Sequence, residues 1–289
     1  MKQKSIGYLE IIIAVSIWAI SSGVIVRWID QGAEIIYGVG AMAGFVFVLI
    51  WLVSKKQTKK ISESYSCWKE LVLIGLFIGL NNGLFFMAMK TTTIANAILT
   101  HYFEPILLVL IFAPLILKQK IKRKHIFASS IGFAGLLVVL GSQLNSAALN
   151  FGVLLGLMSA VFFAWYTVIE SKLATTTKID PIVEVLYKNG VPALMFAPFV
   201  ISKFASGGIG PDDFCKLVFF GVLVLGISFV LLFRGLAKVS SQNASVIFYG
   251  EPIGAIILAW MIWGEQLSLG VIAGGALILA AGCLAVRDK

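Results

Sequence analysis

The sequence predicts an all-α integral membrane protein of ten transmembrane helices, arranged as two inverted five-helix repeats. Three observations lead there. The chain is 59% hydrophobic and only 13% charged, with a mean hydropathy of +0.97. A soluble domain is about 25% charged, so lipid must solvate most of this surface. Its apolar stretches approach the length of about 20 residues that a bilayer-crossing helix needs. Finally, the chain repeats itself at one fixed spacing. Ala95-Asn96-Ala97 … Tyr102-Phe103-Glu104-Pro105 returns as Gln242-Asn243-Ala244 … Tyr249-Gly250-Glu251-Pro252, an offset of 147 residues. The same offset carries Trp18 onto Trp165, Gln119 onto Gln266 and Gly135 onto Gly282. Residues 1–147 therefore form a first repeat and 148–289 a second. Five spans in each half force the second half to insert upside down. Inverted repeats around a midplane site are a signature of secondary transporters.

The expected spans are 7–27, 33–53, 70–90, 94–117, 125–142, 151–171, 181–201, 216–237, 243–263 and 268–286. Spans 3 and 4, and likewise 9 and 10, follow each other closely. The repeat separates them by aligning the break near Thr91-Thr92-Thr93 with the break near Val239-Ser240-Ser241. The N-terminal apolar run is longer than a signal-peptide core and has no small-residue cleavage site, so it reads as a retained first span. With the N-terminus inside, 18 of the 23 Lys and Arg residues fall in cytoplasmic segments and 4 in outer ones, Lys188 lying within span 7. That asymmetry predicts cytoplasmic N- and C-termini in an inner or plasma membrane. The loop Lys118–Lys124 is basic, while its repeat partner Gly264–Ser268 carries Glu265 and no basic residue, as opposite sides of a membrane would select.

The net charge of +9 does not point to nucleic acid, because the basic residues sit in loops between apolar runs. Cys67, Cys215 and Cys283 match no zinc or redox spacing. There is no Walker motif, HExxH, GxSxG or dinucleotide fingerprint, so neither an enzyme nor a nucleotide-driven pump is expected, and no cofactor or metal.

Ionisable groups inside a span cost about 2.5–3.5 kcal/mol each and usually face a cavity or a partner. Glu104 and Glu251 are repeat mates, and each precedes a proline. Proline deprives the carbonyl four residues earlier of its helical partner, so two bent helices are expected near the midplane. Each glutamate either fixes its bend or binds substrate or a proton. In span 4 Thr93, Asn96, Thr100 and Glu104 fall within about 80° of arc, with His101 about 60° further round. The matching stripe in span 9 is Ser240, Asn243 and Glu251. Such stripes either bond neighbouring helices or wall an aqueous path. A His101–Glu104 pair can exchange a proton near neutral pH. Glu184 and Lys188 are spaced for an ion pair. Lys188 either snorkels to the interface or meets an anionic substrate group. Asn81 and Asn82 need partners at mid-span. Trp18 and Trp165 either wall a cavity or fill volume. Glu10 is expected at the interface, and Glu170 and Arg234 near helix ends. Glycines of span 5 (Gly132, Gly135, Gly141) and span 10 (Gly270, Gly274, Gly275, Gly282) allow close packing, within a monomer or between two copies.

The stretch Asn243-Ala244-Ser245 … Tyr249-Gly250-Glu251-Pro252 … Trp263-Gly264-Glu265-Gln266-Leu267 … Gly274–Gly282 resembles the second repeat of the EamA-type drug/metabolite transporter superfamily. The first half is similar more loosely, and departs by placing Leu117-Lys118 where the family has Gly-Glu. The resemblance implies a carrier that exports amino acids or other small metabolites, with spans 5 and 10 away from the central cavity. The expected substrate-binding set is Trp18, Asn81, Asn82, Asn96, His101, Tyr102, Glu104, Trp165, Lys188, Asn243, Tyr249 and Glu251, with proton coupling as one option and uncoupled exit as another. A membrane-embedded protein without transport is the third reading.

Overall fold

The computed structural model describes residues 2–118, 123–141, 151–177, 179–236, 238, 247–248 and 250–286. All regular structure among them is helical. Helix α1 covers 2–28, with a π-helical stretch at Ser21–Ile25. Helix α2 is Ala33–Ser54 and α3 is Trp68–Thr91, the latter preceded by the short turns Lys59–Glu63 and Ser64–Cys67. Helix α4 is broken, with Ile94–His101 followed by Glu104–Leu107, a π-helical Leu108–Phe112 and Ala113–Leu117. Helix α5 is Arg123–Gly141, α6 is Phe151–Thr176 and α7 is Pro181–Ala205. Helix α8 covers 211–236 with a π-helical Gly221–Ile227, α9 is Gly250–Trp263 and α10 is Leu269–Val286. Six of these segments are long and apolar enough to cross a membrane, and α9 and α10 are shorter apolar helices. The protein is an all-α membrane protein.

Local chemistry sets the helix ends. Asp180 accepts from the Ile182 N–H at 3.0 Å, and Pro181 follows at the first helical position, where its missing donor costs nothing. Thr93 caps α4 by accepting from the Asn96 N–H at 3.2 Å. The break in α4 falls where proline predicts it. Pro105 has no N–H for the His101 carbonyl, the helix ends at His101, and a tight turn closes through Phe103 N–H to Thr100 O at 3.2 Å.

The helices pair as α1 with α8 and α9, α2 with α7 and α8, α3 with α6 and α7, α4 with α6 and α9, and α5 with α10. An aromatic cluster locks the centre of α2, α3, α7 and α8. Tyr37 meets Phe86 and Phe196 edge-on at 5.5 and 5.6 Å, and Phe86 meets Phe220 at 5.6 Å. Helices α5 and α10 approach closely because Gly135 faces the Gly274 carbonyl, where a Cβ would stand 2.6 Å away. Helix α8 does the same on α2, with Gly221 against the Gly40 carbonyl.

The turns gather at two ends. At one, Arg27 in the last turn of α1 reaches Thr92 O before α4 and Glu265 after α9, and Gln31 reaches Asp213 at 2.6 Å at the start of α8. At the opposite end, Lys60 before α3 pairs with Asp180 before α7 at 2.5 Å. Glu10 of α1 meets Arg234 at 3.1 Å and Lys238 at 2.5 Å. Glu10 is therefore a buried, doubly paired carboxylate. Arg234 of α8 and Lys238 just beyond it satisfy it, which one-dimensional placement on α1 does not reveal.

Candidate functional site

A cavity of about 460 Å³ lies between the two halves of the chain, lined from α1, α3, α4, α6, α7, α8 and the start of α9. That is within the range of small-molecule sites, about 300–1,000 Å³. The π-helical stretches contribute directly, placing Ser21 and Ser22, Leu108, and Val224 and Leu225 on its surface. A widened turn rotates side chains that a regular helix would aim elsewhere.

One wall is an aromatic stack. His101 lies between Phe85 and Phe163, with centroids 4.0 and 4.9 Å away, and Phe163 stacks on Tyr166 at 5.1 Å. The imidazole Nδ1 is 2.9 Å from Ser159 Oγ. Asn81, on α3, donates to the Ser159 carbonyl at 2.9 Å, and Asn82 donates to Tyr37 Oη at 3.1 Å. Trp18 also lines the cavity, its indole N–H donating to Ser228 Oγ at 2.8 Å and its ring packing on Phe229 and Phe248.

Three glutamates and one lysine charge this surface. Glu251 accepts from Tyr102 Oη at 2.8 Å and from Ser22 Oγ at 3.1 Å, so α1 and α4 both hold it. Lys188 is 5% exposed and pairs with Glu170 at 2.5 Å and Glu184 at 2.8 Å, its ammonium 5.6–5.7 Å from the ring centroids of Tyr166, Phe229 and Phe233. It does not snorkel. The second carboxylate, Glu170 of α6, keeps the charge inside. Glu104 is 6% exposed, and its Oε1 has no hydrogen-bond partner.

Of the expected set, Trp18, Asn81, Asn82, His101, Tyr102, Glu104, Lys188 and Glu251 line the cavity. Asn243 and Tyr249 lie outside the described residues. Asn96 is off the cavity and fully buried, its amide 3.4 Å from Thr92 Oγ1. Thr100 turns its hydroxyl back to the Asn96 carbonyl at 2.7 Å and faces Gly156 of α6. The polar stripe of span 4 thus splits, because the break after His101 ends the continuous wheel on which it was drawn. Trp165 is 36% exposed and packs on Phe77 and Phe112 away from the cavity. The repeat carries its sequence position but not its orientation.

Sequence reasoning passed over Ser22, Phe163, Tyr166, Thr167 and Glu170, all of which line the cavity. Glu170 was expected near a helix end, yet α6 continues to Thr176. The spacing of Phe163, Tyr166-Thr167 and Glu170 is one helical face, and reading it as such would have found them.

A helical membrane protein enclosing a partly polar central cavity between its halves, with ionisable groups on the wall, has the architecture of a membrane transporter. The comparisons agree. The chain belongs to the EamA-like transporter family, whose profile matches residues 5–141 and again residues 150–287. An uncharacterized transporter of Archaeoglobus fulgidus is 25% identical over 220 residues, 76% of this chain and 77% of that one. The uncharacterized transporter YxxF of Bacillus subtilis is 22% identical over 289 residues, 98% and 90% of the two chains. A solved crystal structure superposes with a TM-score of 0.62 at 19% identity, covering 98% of this chain and 96% of that one, which establishes likeness of fold.

Proposed function

We propose that this protein is a secondary transporter of small organic metabolites, exporting by alternating access through the central cavity, with two inverted five-helix repeats, 1–147 and 148–289, rocking against each other. The observation that carries the reading is the cavity itself, lined from both repeats and carrying Glu104, which is buried, and Glu251, which is half-buried, at repeat-related positions. Two further features support it. The helix pairing is symmetric under exchange of the halves. Each helix exchanges with the one five places on, so α1 with α8 corresponds to α6 with α3, α1 with α9 to α6 with α4, and α2 with α8 to α7 with α3. Helix α4 also starts at the end that holds Glu265, so its last helical residue, Leu117, lies toward the opposite end, as inversion requires.

Alternating access needs one closed end. The cluster of Arg27, Glu265 and the start of α4 supplies it, with Trp263 bonded to the Gly23 carbonyl at 2.8 Å beside it. At the other end Lys188, Glu170 and Glu184 guard the mouth. Reconstitution into liposomes tests the reading. Saturable solute uptake that falls at least ten-fold in both Glu104→Gln and Glu251→Gln is expected. Unchanged transport in both removes these carboxylates from the mechanism. An imposed pH gradient separates the two energetic options, since proton coupling through Glu104 or His101 responds to it and uncoupled exit does not.

A further inference from the structure

We propose that the cavity recognises an organic cation, an amine or quaternary ammonium with an apolar body and no carboxylate, whose charge is met by Glu104. The inference deepens the transport reading and rests on it for passage of the ligand, though not for binding.

The charges on the wall decide between ligand classes. A zwitterionic amino acid brings a carboxylate, which needs a free cation. The lining holds one lysine and no arginine among the described residues, and Lys188 is already committed to two carboxylates. Drawing it away would leave Glu170 and Glu184 facing each other uncompensated, a heavy penalty in a low-dielectric site. The His101 ring is held on both faces by phenylalanine and at its edge by Ser159. The surface therefore offers an anion no site.

A cation finds the reverse. Glu251 has a donor on each oxygen, Tyr102 on one and Ser22 on the other. Glu104 is different, since its Oε1 is buried on the cavity wall with no donor. A carboxylate oxygen stripped of water and given no partner is a standing cost that an ammonium removes. Aromatic rings lining the same cavity, Phe163 and Tyr166 among them, supply the second attraction, as aromatic faces draw cations. The protein already shows this chemistry, because Lys188 places its own ammonium among the rings of Tyr166, Phe229 and Phe233 and against two carboxylates. Glu104 offers a carboxylate on the same cavity wall without a resident cation.

Three probes that share a phenyl body test the proposal by calorimetry on the purified protein in lipid nanodiscs. They are benzyltrimethylammonium, phenylalanine and 3-phenylpropionate. The expected result is binding of the permanent cation at least ten-fold tighter than of the zwitterion or the anion. Glu104→Gln should weaken the cation at least ten-fold, while Glu104→Asp, which keeps the charge, retains most of the affinity. Equal or tighter binding of phenylalanine, or cation binding unaffected by Glu104→Gln, overturns the proposal. Counterflow of the same probes in liposomes tests the transport reading separately. Cation binding without counterflow removes transport and leaves the site, whereas phenylalanine counterflow with no cation binding removes the site and leaves transport.

Discussion

Arg27 and Glu265 lie 238 residues apart and meet at 2.5 Å, where the guanidinium also holds the Thr92 carbonyl at 2.6 Å and the Met89 carbonyl at 3.3 Å. Glu265 in turn accepts the Ile94 N–H at 2.9 and 3.0 Å. One carboxylate thus caps the start of α4, where helix dipoles favour negative charge, and ties the turn after α9 to the end of α1. Replacing it with glutamine weakens both bonds. Glu265→Gln is expected to destabilise by about 1–3 kcal/mol, read as a lowered unfolding midpoint in detergent. A cysteine placed at Ser22 should then react several-fold faster with impermeant maleimide from the Glu265 end. An unchanged rate would show that this cluster closes nothing.

Lys188 neutralises two glutamates at once. Lys188→Met leaves both acidic groups without their counter-ion and should cost about 3–5 kcal/mol. Adding Glu170→Gln and Glu184→Gln to that variant should restore most of the loss. Thermal unfolding of the three proteins measures it, and a Lys188→Met variant as stable as the parent would contradict the triad.

Tyr102 links α4 to Glu251 of α9 across the repeats. Tyr102→Phe removes one bond to a half-buried carboxylate, a loss of about 1.5–3 kcal/mol for a charged acceptor. In the proposed site, that predicts substrate affinity reduced several-fold with the fold intact, measured by ligand binding alongside circular dichroism.

Gly135 sits against the Gly274 backbone with no room for a side chain. Gly135→Val must push α5 from α10, at about 1–3 kcal/mol for overpacking. The expected readout is a lower unfolding midpoint with ligand affinity preserved, because this contact lies away from the cavity. Loss of binding with unchanged stability would argue that α5 shapes the site.

Cys215 is exposed on α8, beside the turn that reaches Gln31, while Cys67 is buried. With the basic segments inside, an impermeant maleimide should label intact cells carrying a Cys283→Ser background, and Cys215→Ser should abolish the signal. Labelling only after permeabilisation would reverse the orientation.

The proline-induced break was legible because its cause is local. Pro105 lacks a donor wherever it is placed, and α4 stops at His101 accordingly. The Glu184–Lys188 pair was legible for the same reason, as four residues set a helix-face contact. The role of Glu170 was not, since its partner comes from another helix. Asn96 and Trp165 misled because spacing reports position along a helix, while the break in α4 and the packing of α6 decided where they face.

By itself the sequence determined a lipid-solvated helical chain, its internal repetition, and which buried groups need partners, because hydropathy, period and backbone chemistry act over a few residues. Only the tertiary structure decided the partners. It gave Lys188 two carboxylates, Glu251 two hydroxyls and Glu104 Oε1 none. Those assignments depend on side chains brought together from distant helices, and the electrostatic character of the cavity depends on them.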